Sequence, residues 1–147
     1  MDASSIVPGD PAFVNLVSSE QALVDLTNAD RVANGEQPLL LDIQTLTIAR
    51  ERAESQLGPQ SLNHYDSNGH LIFAQLLQQS GLPYGLAGEN LARASEDDPN
   101  IVPRVEQALM QSPTHRKNIL EPTFKRMAVG VATDSTGQIT FAEIYRD

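Results

Sequence analysis

The stretch "MAVGVATDSTGQITFAEIY" at 127–145 decides the fold class. Met127, Val129 and Val131 alternate, "DSTG" at 134–137 supplies turn residues, and Ile139, Phe141 and Tyr145 take alternate positions on the way back. This two-residue period predicts an antiparallel hairpin. Ala128, Ala142 and Ile144 furnish the opposite side, so both faces are apolar and the sheet should lie between helical layers. The expected class is α+β, an alpha-beta-alpha sandwich with a central antiparallel sheet. Glu143 breaks the apolar pattern. Its carboxylate points toward a partly apolar side and needs a partner or an opening, unless it pairs with Arg126 or Arg146.

Upstream of the hairpin the period is helical. Ser18 can cap a helix, with Gln21 completing a capping box and Leu23, Leu26, Ala29 and Ala33 following at helical spacing until Gly35. Asp42 reads as a second cap before Leu46, Ala49, Ala53 and Leu57, and "GP" at 58–59 ends that run. Between these helices "GEQPLL" turns the chain, with Leu39 and Leu40 as plugs on the core side. A third helix is expected from Ser67 or Asn68 through "HLIFAQLLQQ" to Gly81, largely buried because it is apolar over much of its circumference. "GLPYGLAGENLARAS" reads as a constrained loop leading to a short extended segment. Pro103 fits the first turn of a fourth helix carrying Val105 and Leu109, and Ser112 before Pro113 is an N-cap for a short helix containing His115.

A chain of 147 residues is long enough for one substantial core and short for two. Residues 1–17 read as an N-terminal extension and 18–147 as a single domain. The start "MDASSIVPGD" shows neither the basic nor the apolar segment of a signal peptide. No apolar run is long enough to cross a membrane. With no Cys, disulfides, thiolate metal sites and cysteine nucleophiles are excluded. The formal net charge of -9 repels phosphate backbones, so nucleic acid is not an expected partner, and "HRK" at 115–117 reads as a helix surface.

His64, Glu89 and His115 are the residues that can carry chemistry. They form no compact metal motif in sequence. Two imidazoles and a carboxylate can hold a divalent ion such as zinc with a position left open, or can move protons around a cleft. They can equally be a solvent-facing His64, a Glu89 accepting backbone N–H bonds and a His115 in a helix cap.

The chain closely resembles the CAP superfamily, the cysteine-rich secretory, antigen 5 and pathogenesis-related 1 proteins, and particularly its compact bacterial SCP-like branch. The resemblance is carried by "DLTNADRVANGEQPLLLDIQTLTIARERA" at 25–53, "NH" at 63–64, "GEN" at 88–90, "SPTHRKNIL" at 112–120 and "VGVATDSTGQITFAEIY" at 129–145, in the family's order. It implies a central cavity presenting His64, His115 and the Glu89 carboxylate, with zinc or another divalent cation weakly bound in some members. It also implies a secreted or cell-surface location and glycan, peptide, lipid or protein ligands. Many members carry a second acidic residue where this chain has Ser112, and Glu106 lies almost two turns earlier. The helix position usually filled by Trp is Leu109.

Asn90 and Asn118 are expected to clamp loop backbone, since an amide both accepts and donates. Tyr65 and Tyr84 can rim the cleft or pack as loop residues. His70 reads as a first-turn surface histidine. The leading functional reading is a noncatalytic extracellular binding domain. One alternative is a metal-assisted hydrolase of peptides or esters, in which Glu89 or a histidine takes a proton from water. Another is an apolar-ligand or sterol binder using Leu109, Phe73 and Tyr84.

Overall fold

The structure, a computed structural model, describes residues 17–147, so the expected N-terminal extension lies, Val17 apart, outside the described residues. Helix α1 (Ser18–Ala33) turns Leu23, Val24, Thr27 and Arg31 inward. Its cap is displaced by one residue from the expected box. Glu20, not Gln21, closes the first turn, its Oε1 accepting the Val17 N–H at 3.1 Å, while Gln21 donates to Asp25. Glu20 is drawn inward by other partners: its Oε2 accepts the Val131 N–H at 3.1 Å and it holds the Arg50 guanidinium.

Strand β1 (Leu40–Leu41) runs parallel to β3 (Arg126–Thr133), which makes the sheet mixed at one edge rather than wholly antiparallel. The remainder is the expected hairpin of β3 with β4 (Gln138–Arg146), and β2 (Ala87–Ser95) adds antiparallel to β4. The sheet order is β1-β3-β4-β2. At nine residues, β2 is longer than the short segment expected. Leu39 is buried as a plug, but Leu40 is 71% exposed, because neighbouring residues of an extended chain point to opposite sides.

A 3-10 turn (Ile43–Thr45) leads into α2 (Leu46–Ser55). Asp42 takes the N-cap position of that turn as expected, but its carboxylate makes no cap hydrogen bond and is engaged by side chains instead. It accepts from Thr45 Oγ1 at 2.6 Å and receives Arg146 in a two-pronged, buried ion pair at 2.6 and 3.0 Å. Helix α3 (Ile72–Gln79) starts later than its apolar pattern implies. Asp66 Oδ1 accepts the Asn68 and His70 N–H groups, a local turn that competes with helix, and Gly69 follows it with φ of 81°. Only Phe73 and Leu77 of α3 are fully buried, so the helix covers the layer rather than lying within it. Helices α4 (Ile101–Gln111) and α5 (Pro113–Ile119) fall where their prolines place them.

Both faces of the sheet are covered. Met127, Val129, Ile139, Phe141 and Tyr145 pack against α1, α4 and α5 through Leu23, Val105, Leu109 and Ile119. Ala128 and Ile144 meet Ile48, Ala49, Phe73 and Leu77 from α2 and α3 on the other side, with Ala142 against Ala53. Small residues on this second face let α2 approach closely. Leu109 and Phe73 belong to opposite layers, with the sheet between them, so they do not line one continuous apolar pocket with Tyr84.

Candidate functional site

Strand β2 lies at the edge of the sheet, so its consecutive residues Glu89 and Asn90 point into different layers. Glu89 turns toward α2. There Arg52, on the inner face of that helix with Ala49 and Ala53, donates Nε to Oε2 at 2.7 Å and Nη2 to Oε1 at 3.1 Å. His64, in the loop after α2, places Nδ1 2.8 Å from Oε1. With Glu89 ionised beside Arg52, that nitrogen carries the proton, and Nε2 keeps its lone pair. Arg52 also donates to the Asn63 carbonyl at 2.8 Å, which ties the loop to the helix. The Glu89 side chain has no solvent exposure and the His64 ring is about one-third exposed.

Asn90 turns toward α5. Its amide donates to the His115 carbonyl at 3.1 Å and to Glu143 Oε1 at 3.1 Å, and it accepts from Asn118 Nδ2 at 2.8 Å. Asn118 donates to the Glu89 carbonyl as well, and a Cβ at Gly88 would meet its Oδ1 at 2.8 Å. The two asparagines thus clamp α5 to β2. Ser112 stands at the N-cap of α5 as expected, but its side chain makes no cap hydrogen bond; its Oγ lies 2.8 Å from His115 Nδ1. Burial lowers the His115 pKa, and the nearby His64 lowers it further, so the two imidazoles stand within electrostatic reach of each other. Among the described residues neither ring's Nε2 has a hydrogen-bond partner.

Tyr65 is half exposed and its ring meets that of His64 edge-on at 6.3 Å between centroids. Tyr84 stands elsewhere, packed against the α2–α3 layer and lining a hollow with Arg126, Arg146 and Asp147. His70 is exposed and faces Asp66 at 3.6 Å. Among the described residues no three His, Cys, Asp or Glu side chains are grouped so that they can hold a metal ion.

Glu143 pairs with neither Arg126 nor Arg146. It is fully buried and accepts from Tyr145 Oη at 2.7 Å, Asn90 Nδ2 at 3.1 Å and Thr27 Oγ1 at 3.4 Å. Thr27 also reaches Glu106 Oε1 at 3.0 Å, so two buried carboxyl groups flank one hydroxyl. Burial raises the Glu143 pKa, and its three donors offset part of that rise. Burial, the Asp30 carboxyl group and the Glu143 charge push Glu106 up to about 9.

The folded protein therefore holds a proton on Glu106 that the unfolded chain, with an ordinary carboxyl near 4.5, has lost at neutral pH. Stability from this group is complete below the unfolded value and drains away as pH rises toward about 9. Glu106→Gln, an isostere of the protonated form, is expected to stabilise the protein by about 2–3 kcal/mol at pH 7 and to have little effect at pH 4. Urea unfolding at the two pH values checks this, and equal effects at both would refute it.

Sequence reasoning misses Arg52 and Thr27 as polar members of apolar helix faces, and sets Glu106 aside as almost two turns too early to replace an acid at Ser112. The signal is present, since Arg52 is three residues after Ala49, Thr27 is four after Leu23, and Glu106 adjoins Val105 and Val102 on the stripe.

Three comparisons bear on this arrangement. Residues 24–145 match the model of the family described as CAP, cysteine-rich secretory protein family. The Bacillus subtilis (strain 168) protein YkwD, itself described as uncharacterized, is 32% identical over 111 residues, 76% of this chain and 41% of YkwD. The fold is shared with an outer surface protein from Borrelia burgdorferi, with a TM-score of 0.77, 16% identity, and 91% of this chain and 96% of that one covered. It is shared also with an extracellular protein containing a SCP domain from Bacillus anthracis str. Ames, with a TM-score of 0.71, 24% identity, and coverage of 96% and 45%. The chain thus spans less than half the length of YkwD and of the Bacillus anthracis chain. With the family model matched over the whole stretch from the middle of α1 to the end of β4, this chain belongs to the CAP family of cysteine-rich secretory proteins.

Proposed function

We propose that residues 18–147 form one noncatalytic recognition domain, working outside the cell or at its surface, in which His64 and His115 present two oriented imidazoles to a ligand. The observation that carries this reading is the complete burial of the Glu89 side chain, with both oxygens engaged by Arg52 and one also by His64. A general base must reach the proton it removes. Glu89 is sealed from substrate and instead orients His64, which favours recognition over hydrolysis. The location rests on the outer surface and extracellular relatives.

A divalent cation fits here only in a limited way. The donors free to hold one are the Nε2 atoms of His64 and His115, while the Glu89 carboxylate is already neutralised by Arg52. Two nitrogens make a weak site, completed by water or by groups from a glycan, peptide or protein partner. A cation bound there would supply positive charge and a link between the two layers. In this reading Glu89 supports the site from behind His64 and does not itself ligate.

Calorimetric titration with zinc at moderate salt distinguishes these roles. His64→Ala or His115→Ala is expected to abolish specific binding, whereas Glu89→Gln weakens it about 10–100-fold, the usual effect of losing an orienting partner. Binding weakens as pH falls, because His115 must be neutral to offer its Nε2, and burial and the nearby His64 hold its pKa below the ordinary imidazole value. Zinc binding that survives loss of both histidines would remove the site.

A further inference from the structure

The start of β3 and the end of β4 set two arginines side by side. Arg126 and Arg146 are cross-strand partners, so their side chains share a sheet face, and like charges so placed oppose folding unless each is matched. Arg146 is matched by the buried Asp42 carboxylate and also donates to the Pro83 carbonyl and to Gln44. Arg126 is not. It is half-buried, yet among the described residues its guanidinium makes no hydrogen bond and no carboxylate stands within ion-pair distance of it. Its Nε is sealed without an acceptor, whereas its two Nη groups stay open to solvent. A half-buried guanidinium with five donors and no acceptor is unusual.

Arg126 is also a wall of two hollows, one of about 300 Å³ with Pro83, Tyr84, Gly85 and Asp147, the other of about 270 Å³ beside residues 40–44. In the first, the Tyr84 hydroxyl is a second open donor that makes no hydrogen bond among the described residues. Asp147 does not supply the missing match. Its Oδ1 accepts the Leu86 and Gly85 N–H groups at 3.1 and 2.8 Å, and these hold its pKa below the ordinary carboxylate value, with a smaller part from the Arg126 charge.

We infer that the hollow between Tyr84 and Arg126 binds a singly charged carboxylate on a short apolar stem, the Arg126 Nη groups and the Tyr84 hydroxyl donating to its oxygens while the stem lies along Pro83 and the Tyr84 ring. A guanidinium fork meets both oxygens of a carboxylate in one plane. A single charge is selected because Asp42 and Asp147 flank the two arginines and the chain carries a formal net charge of -9, so a doubly charged anion meets more repulsion for the same contacts. An ammonium finds a cation and open donors where it needs acceptors. The bound carboxylate supplies the counter-charge that Arg126 lacks, so occupancy also stabilises the fold.

The test is titration of the whole chain with sodium butyrate at pH 7 and fixed ionic strength, followed by amide chemical shifts and the Arg126 Nε–H signal. Butylammonium chloride, sodium sulfate and sodium glucuronate are titrated in parallel. Butyrate is expected to saturate at about millimolar concentration, with shifts at Tyr84, Gly85 and Arg126, and to raise the melting midpoint. Sulfate, for its second charge, and glucuronate, for its hydroxylated stem, should bind at least about threefold more weakly. Butylammonium should leave these signals unmoved. Arg126→Gln is expected to weaken butyrate at least about tenfold and Tyr84→Phe about threefold, with unchanged amide signals elsewhere reporting an intact fold. Arg126→Lys, which keeps the charge and loses the fork, should fall between wild type and Arg126→Gln. The combined His64→Ala and His115→Ala change should leave butyrate binding intact, so this inference and the histidine reading fail separately. Absence of saturation, sulfate or glucuronate binding as tightly, shifts with butylammonium, or wild-type affinity in Arg126→Gln would overturn the inference.

Discussion

Gly130→Ala is expected to leave no folded protein at 37 °C. Gly130 pairs with Ala142 on the sheet face that receives α2. A Cβ there would stand 2.2 Å from the Ala49 carbonyl carbon, 2.3 Å from its oxygen and 2.3 Å from the Arg50 nitrogen. Those are helix backbone atoms and cannot swing aside as a side chain would. Relief requires α2 to lift from the sheet, which would open the contacts of Ala49 and Ala53 and draw Arg52 away from Glu89. A loss of at least about 4 kcal/mol is a large share of an ordinary domain's stability. Gly35→Ala is the contrast. It has φ of 83° but nothing within 4 Å of the added carbon, so only backbone conformation is penalised, at about 1 kcal/mol. Circular dichroism melts of the two variants check the ranking, and a Gly130→Ala midpoint within a few degrees of wild type would show that α2 does not sit as closely as described.

The same close approach explains what can be read from the sequence and what cannot. The hairpin and its two covered faces follow from alternation at 127–145, because a two-residue period fixes which side chains share a face before any partner is known. The helices on either side follow from spacing and from glycine and proline stops. Strand β1 does not, since two residues carry no period and their pairing with β3 is decided by where α1 returns the chain. The apolar pattern overextends α3 because it ignores the Asp66 turn, which engages the backbone of the residues just before the helix.

At the site, the motif boxes point to His64, Glu89 and His115, but residue type alone does not reveal that Glu89 is sealed. Its state depends on Arg52, a cation on an otherwise apolar stripe, and on the edge position of β2. Likewise Glu143 can be seen to need a partner, yet the partners it finds, Tyr145, Asn90 and Thr27, come from strand neighbours and a helix more than a hundred residues away. A buried charge announces that something must satisfy it; long-range topology chooses what does.

Breaking the pair at the centre of the site should therefore cost far more than the pair contributes. Arg52→Met keeps an unbranched stem of similar bulk but leaves the Glu89 carboxylate, with no solvent exposure, facing only His64. Removing one partner of a buried ion pair typically destabilises by about 3–5 kcal/mol, because the remaining charge is neither hydrated nor paired. His64 and Asn63 lose their anchors in the same step, since Arg52 holds the Asn63 carbonyl and fixes the carboxylate that orients the ring. The double change Arg52→Met with Glu89→Gln removes the stranded charge while leaving an amide oxygen able to accept from His64 Nδ1. It is expected to recover more than half of the lost stability, as measured by urea unfolding at pH 7. Recovery of stability need not restore zinc binding, because the neutral amide holds His64 less firmly than a carboxylate does. Single and double variants with equal loss would mean that the Arg52 contacts to loop and helix, rather than the unpaired Glu89 charge, dominate the site's stability.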